Sequence, residues 1–434
     1  MDHLFAARTQ FAISMVFHII FAVYGIGLPL LMVLAERRWL RTHDEAYLVL
    51  ARRWARAGSL LFAIGAVSGT AISFELGLLW PRFMQFAGAV IGMPFSMEGF
   101  AFFIEAIFFA LYLYGWDRLS PVAHYRCGIA VAVSAVLSGI FVMDANAWMN
   151  SPTGLVIQNG VVVGAHPLAA MLNPFATSEA IHMVLAAYLT VGFGVAAVYA
   201  QALLREPQDA TCRRGFALPF VLAAIVAPLQ IVSGHHSALA VGHLQPPKLA
   251  AMEGLFHTTA CAPETIGGIP DTAGQTMRFG LPLPCLLSVL MHANPKAVIQ
   301  GLDAFPPFER PNTVVVHIAF QIMVGCGFAF LGIGLWALAL RLRRQDLFTN
   351  RWFLRAATAC GYLSILALEA GWFVTEVGRQ PWTAYHLITT AQSVTPATST
   401  IVPSLVAFSA IYVFLGCLLI WLLLGLGKEH DVAA

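Results

Sequence analysis

The sequence predicts an all-α, polytopic membrane helix bundle of about nine transmembrane helices, with the N-terminus outside and the C-terminus cytoplasmic. Three observations lead there. Of 434 residues, 59% are hydrophobic and only 11% charged, and the mean hydropathy is +0.76. A soluble globular chain carries about a quarter charged residues, and a disordered one pairs low hydrophobicity with high net charge. Second, nine apolar runs approach or exceed the roughly 20 residues that cross a bilayer. They lie at 10–35, 58–80, 98–116, 128–148, 179–203, 215–236, 313–340, 356–376 and 402–426. Their continuity excludes a membrane barrel, whose strands alternate apolar and polar residues. Third, the gaps after runs one, three, five and seven, with the C-terminal tail, hold 17 of the 24 Lys and Arg residues. The side richer in basic residues faces the cytoplasm, and an odd number of spans then puts the N-terminus outside.

Taken in order, residues 1–236 carry spans one to six. The first has no small-residue cleavage site and holds His18 in its middle, so it is expected to stay as a span. Residues 237–312 form a long external loop, and 313–434 carry spans seven to nine and a short cytoplasmic tail. Connections in a helix bundle are usually short, so a loop of this length points to function. It is rich in Pro and Gly (Pro246-Pro247, Gly267-Gly268, Pro306-Pro307). Lys248 to Glu253 reads as a short helix, and 279–290 is apolar enough to lie on the bilayer surface. A folded substrate loop is expected rather than a linker. The seven cysteines make no disulfide framework, and Cys261 and Cys285, which share the loop, are expected to stay unpaired. Internal repeats, a phosphate-binding glycine loop, zinc spacing and a basic patch for nucleic acid are all missing.

Ionisable groups inside spans are costly and therefore functional candidates: His18, Glu75, Glu98, Glu105, Asp144, Glu179, His182, His317, Glu369 and Glu376. By the span limits above, nearly all fall in the outer half of the membrane, as a cofactor site near one face would require. Heme fits, because its iron takes axial His or Met. His182, early in span five, and Met323, early in span seven, lie at similar depth. A single Met is ordinarily core filler, and spacing alone does not choose His182 over His235, His236, His317 or His386. Glu98 and Glu105 are two turns apart and share a helix face. Such a pair passes protons well, or else makes interhelical hydrogen bonds.

Several segments together resemble subunit I of the cytochrome bd ubiquinol oxidases over nearly the whole chain. They are Arg8-Thr-Gln-Phe-Ala with His18, Met97-Glu-Gly-Phe-Ala-Phe-Phe-Ile-Glu105, Gly115-Trp-Asp-Arg-Leu119 and Ala145-Asn-Ala-Trp-Met149. The segment around His182, Lys248-Leu-Ala-Ala-Met-Glu253, Gly267-Gly-Ile-Pro-Asp271 and Ile322-Met-Val-Gly-Cys-Gly327 follow. Glu369-Ala-Gly-Trp-Phe373 and Gly378-Arg-Gln-Pro-Trp382 complete the set.

The resemblance implies a bacterial inner-membrane oxidase that takes electrons from ubiquinol or menaquinol and reduces oxygen to water. It implies a low-spin heme b on His182 and Met323, a high-spin heme b, and a third heme that is heme d or a further heme b. His18 and Glu369 would each ligate one of the latter two, with Trp372 and Arg379 beside the cofactors. Lys248 and Glu253 match the family's quinol positions: a carboxylate can take the quinol proton while a cation steadies developing negative charge. Glu98 and Glu105 would end a proton path from the cytoplasm, so that proton release outside and uptake inside build a potential without a pump. A second membrane subunit, subunit II, is expected, and a small single-helix subunit is left open.

This chain departs from the pattern at Gln321, where better-known relatives carry Arg, and Glu98 and Glu105 are one residue closer than in some. Its loop is of the short type, which includes cyanide-insensitive oxidases. Two other readings were weighed. A heme protein that only carries electrons needs six-coordinate ligand sets throughout, and a heme-free transporter should show repeat symmetry or broken helices at the midplane.

Overall fold

The computed structural model describes residues 2–396 and 400–428; the cytoplasmic tail expected after residue 428 lies outside the described residues. Four long helices come first: α1 (His3–Thr42), α2 (Glu45–Leu79), α3 (Pro81–Tyr114) and α4 (Pro121–Asn150). A hairpin of β1 (Leu155–Gln158) and β2 (Val161–Ala165), then α5 (Pro167–Met171), lead to α6 (Ala176–Leu203) and α7 (Ala210–Leu244). The external segment holds α8 (Pro246–Glu253), β3 (Thr259–Ala260), β4 (Glu264–Ile266), β5 (Ile269–Asp271), β6 (Thr276–Arg278), β7 (Leu281–Leu283), α9 (Leu286–His292) and β8 (Val298–Ile299). The chain closes with α10 (Thr313–Leu342), α11 (Arg351–Gly378), β9 (Trp382–Ala384), β10 (Ile388–Thr389), α12 (Thr390–Ser393) and α13 (Ile401–Lys428).

Among the described residues, nine helices are long and apolar enough to cross a membrane: α1 to α4, α6, α7, α10, α11 and α13. Helices suit lipid because each satisfies its backbone polar groups internally. Short acceptors start several of them. Asp44, Ser120, Asp209, Asn312 and Asn350 each accept a hydrogen bond from a first-turn N–H of α2, α4, α7, α10 and α11.

Neighbours in sequence pair in space, α1 with α2, α3 with α4, α6 with α7 and α10 with α11, while α11 also packs on α6. In lipid, apolar burial gives little drive for helix association, so close backbone approach does much of the work. A Cβ on Gly192 would sit 2.8 Å from Ala223 Cβ and 2.9 Å from the Pro219 carbonyl of α7. One on Gly27 of α1 would meet Val191 at 2.7 Å, and one on Gly361 of α11 would strike Ala197. Aromatic rings fill the remaining space: Phe193 stacks on Phe330, and Phe216 stacks on Phe220.

Three expectations need correcting. Span three begins at Pro81, not near residue 98. Pro81, Arg82 and Pro94 read as loop in sequence, but proline is favoured at the first helical position and tolerated within membrane helices. Glu98 is therefore near mid-helix and Glu105 lies toward the cytoplasmic end, so the candidates do not all cluster in the outer half. Span six runs on to Leu244, past its expected end at 236, and α10 begins at Thr313. Finally, Cys261 and Cys285 are paired. The β4–β7 ladder sets Glu264 opposite Leu283, which brings the cysteines just outside it face to face; a ladder fixes register that sequence spacing alone does not.

The loop is a folded cap, as expected of a substrate loop. Gly254 ends α8 in the left-handed region (φ 62°), the usual glycine stop for a helix, and Leu255 N–H then bonds the Ala250 carbonyl at 2.8 Å.

Candidate functional site

His182 and Met323, far apart in sequence, line one internal cavity of about 200 Å³ between α4, α6, α7, α10 and α11. Trp372, Lys248 and Met252 reach the same space. Among the described residues, the hydrogen-bonding partner of the His182 ring is the Gln230 amide, at 3.0 Å from Nε2 and 3.3 Å from Nδ1. Two glycines make room: a Cβ on Gly234 would lie 3.4 Å from His182 Cε1, and one on Gly371 would lie 3.2 Å from Met323 Sδ. Gly327, one turn beyond Met323, lines the cavity and faces open space.

The rival histidines are accounted for otherwise. Both ring nitrogens of His317 face backbone carbonyls, Nδ1 with Met252 O at 2.8 Å and Nε2 with Gly267 O at 3.1 Å. His235 and His236 are exposed, and His386 stacks on Trp382.

His18 lies on α1 against α2. Its Nδ1 is 2.9 Å from Ser68 Oγ, and that hydroxyl already donates to the Ile64 carbonyl. With that hydroxyl donating to the carbonyl, Ser68 can accept from Nδ1–H, the tautomer that leaves the Nε2 lone pair free for a metal. Gly69 would place a Cβ 3.0 Å from His18 Cε1. On α11, Leu368 and Trp372, either side of Glu369, share an apolar cluster with Ile19, the residue after His18. Both carboxylate oxygens of Glu369 are buried without a partner among the described residues. Burying an uncompensated polar group costs about 1–3 kcal/mol and more if charged, so Glu369 calls for a ligand-type partner.

Toward the outer face, α8 sets Lys248 and Glu253 five residues apart, roughly 140° around its axis. The structure does not bring them to one point. Lys248 turns into the bundle, where Nζ donates to Asn150 Oδ1 at 3.3 Å and Asn150 Nδ2 donates to Glu179 Oε1 at 3.0 Å. Its stem fills the space beside Gly378, 2.9 Å from a Cβ built there. Burial pushes the Lys248 ammonium down to about 8, with Glu179 pulling the other way. Arg379 donates to Glu376 Oε2 at 2.6 Å, and Asn146 donates to Glu376 Oε1 at 2.6 Å. The guanidinium is buried, yet its Nε and Nη1 lack partners among the described residues.

Sequence reasoning missed the way Asn146, Asn150, Glu179 and Glu376 bind these two cations together. Glu179 and Glu376 stood out as costly membrane carboxylates, but nothing local shows which cation each one meets.

Glu253 turns to the cap. Burial and the adjoining Glu264 carboxyl push it well above the usual carboxylate range. In α3, Glu98 accepts from Ser138 Oγ at 3.2 Å, and Glu105 lies on the buried stripe with Ala101, Phe109 and Tyr112.

A multi-span bundle with half-buried His, Met and Glu ligand types facing interior space, and with orphaned Arg N–H donors, has the make-up of a membrane protein that holds redox groups. The residues fit heme: the axial types are right, glycines clear the ring faces, and Arg379 has two donors left for acidic substituents. The family model for "Cytochrome bd terminal oxidase subunit I" matches residues 6–430. A "Putative cytochrome bd menaquinol oxidase subunit I" of Bacillus subtilis is 36% identical over all of this chain and 98% of its own. A "Cytochrome bd ubiquinol oxidase subunit 1" of the same organism is 33% identical over 99% of this chain and 95% of its own. The solved bd oxidase from Geobacillus thermodenitrificans superposes with a TM-score of 0.94 at 34% identity, covering 99% of both chains. The chain belongs to the cytochrome bd terminal oxidase subunit I family. It is accordingly a multi-pass protein of the bacterial cytoplasmic membrane, in a family that carries heme and pairs with a second subunit.

Proposed function

We propose that this subunit oxidises a membrane quinol at its external cap and, with subunit II, reduces oxygen to water, with the residues divided as follows. His182 and Met323 hold a low-spin heme b. His18 and Glu369 hold a high-spin heme b and a third heme, d or b, while Trp372 packs beside them and Arg379 neutralises acidic substituents. When bound, the hemes supply one-electron transfer and, where an iron position stays open, oxygen chemistry.

The chain's own residues do the rest. Glu253 accepts a proton from the quinol hydroxyl as the electron leaves, and its partnerless Oε2 is available for that bond. Lys248 and Arg379 hold positive charge between the cap and the cavity, which favours the more anionic forms of the substrate. Glu98 and Glu105, in mid-membrane and nearer the cytoplasm, take up the protons consumed in making water.

The observation that carries this reading is the shared cavity, which has His182 and Met323 on its walls and Lys248 of the cap helix at its edge. A dithionite-reduced-minus-oxidised spectrum of the purified complex, with pyridine hemochrome analysis and quinol-dependent oxygen uptake, tests it. Heme b bands with rapid uptake are expected; intact complex without heme would refute the ligand assignments.

A further inference from the structure

Nothing in the family motifs singles out Glu264, which lies on β4 of the cap. The structure brings its carboxyl beside that of Glu253, because α10 holds the end of α8 and the β4 strand side by side through His317 and Gln321, although the two come from separate elements. Glu253 is nearly sealed at 6% exposure, whereas Glu264 is half-buried at the edge of a two-stranded ladder with β7. The contact is not accidental slack in a loop, because α10 holds both sides of it. His317 bonds the carbonyl of Met252, next to Glu253, at 2.8 Å. One turn along, Gln321 Nε2 donates to the Thr265 carbonyl, next to Glu264, and its Oε1 accepts from Gly267 N–H, both at 2.9 Å. The Cys261–Cys285 bond closes the outer end of the same ladder.

Two carboxyls in such contact cannot both be ionised at low cost, so they share a proton. Burial raises both groups above the usual carboxylate range, and for Glu253 the Glu264 charge adds to it. The other ionisable groups on the elements packed here are His317 on α10, the Asp271–Arg278 pair of the β5–β6 hairpin, and Asp303, which pairs with His257 and donates its N–H to the Phe256 carbonyl, while Lys248 of α8 turns away into the bundle.

We propose that Glu264 is the proton-relay partner of Glu253: the pair holds one proton, and Glu264 passes it to the outer solvent as Glu253 receives the next from the quinol. This rests on the reading of Glu253 as the quinol's proton acceptor. In each half-reaction one quinol O–H bond breaks and one Glu253 O–H bond forms. The electron goes to the oxidase's own redox chain, and the proton previously shared leaves through Glu264. The pair ends as it began, and two such rounds convert quinol to quinone. Glu264 touches the substrate only through Glu253, so it acts as a positioning residue.

The test compares Glu264→Gln, Glu264→Asp and Glu253→Gln in the purified oxidase complex, reading heme spectra, KM for quinol, kcat and the pH profile. Glu264→Gln is expected to keep its hemes and KM while kcat falls about tenfold or more. Its acid limb should move to lower pH, because removing the Glu264 charge lowers the pKa of Glu253. Glu264→Asp should restore most of the rate. Wild-type kcat and pH profile in Glu264→Gln would overturn the proposal, and so would a heme-replete Glu264→Asp as slow as Glu253→Gln. If the Gln variant loses heme, the Asp variant decides alone: a heme-replete Glu264→Asp that keeps most of the rate with a displaced acid limb supports the relay, and one as slow as Glu253→Gln, or with a wild-type pH profile, overturns it. Full turnover in Glu253→Gln would instead overturn the quinol-site reading beneath it, whereas a slow Glu253→Gln beside a normal Glu264→Gln removes only the relay.

Discussion

His182 and His317 are both histidines in membrane helices, and they have opposite surroundings. His317 is completely buried and has a backbone carbonyl at each ring nitrogen. His182 has one amide beside it and a cavity in front. The same contrast separates whole regions. The cap on α10 is tied down by bonds through His317 and Gln321, while the interior between α6, α10 and α11 leaves Glu369, Arg379 and Gln230 with polar atoms unpaired among the described residues. Buried polar groups are normally satisfied, so a histidine held between two backbone carbonyls reads as a clamp, and one facing a cavity beside a single amide reads as a ligand.

That contrast can be broken or sharpened by substitution. Glu253→Gln should have the largest effect on turnover, a loss on the order of 10²-fold or more, with heme content near wild type; oxygen uptake beside a reduced spectrum measures both. His317→Leu should be milder. It removes the ring N–H that one of the Met252 and Gly267 carbonyls accepts, at about 1–3 kcal/mol, together with the packing between them, so amide exchange should speed up across 250–270 while the hemes stay. Faster exchange spread evenly over the protein would argue against a local clamp. Lys248→Arg should have the smallest effect. Lys248 loses its charge as pH rises through about 8, so turnover that depends on that charge should fall on the alkaline side. Arginine stays charged and should flatten that limb. An unchanged alkaline limb would remove Lys248 from the substrate's electrostatics.

Much of this was legible in the sequence. The span count and the start of span seven near residue 313 follow from apolar length, and the short helix from Lys248 to Glu253 could be read from its own residues. The start of α3 was not, because Pro81 and Pro94 look like breaks but sit where a membrane helix tolerates them. The end of α7 was hidden by Gly234, His235 and His236, polar and flexible residues that the helix nonetheless carries. The ligand candidates could be named, but His182 could be told from His317 only once tertiary contacts assigned each ring nitrogen. The grouping of Lys248 with Asn150 and Glu179, and of Glu253 with Glu264, joins elements whose meeting depends on the whole bundle. The paired cysteines likewise needed the β4–β7 register.

The central claim is that His182, which faces the cavity beside the Gln230 amide, and not clamped His317, would ligate a heme together with Met323. Reduced-minus-oxidised spectra of His182→Ala, Met323→Leu and His317→Leu, prepared alike, test it most directly. The first two should lose the low-spin heme b signal and the third should keep it. An unchanged spectrum in His182→Ala, or loss of that signal only in His317→Leu, would contradict the account.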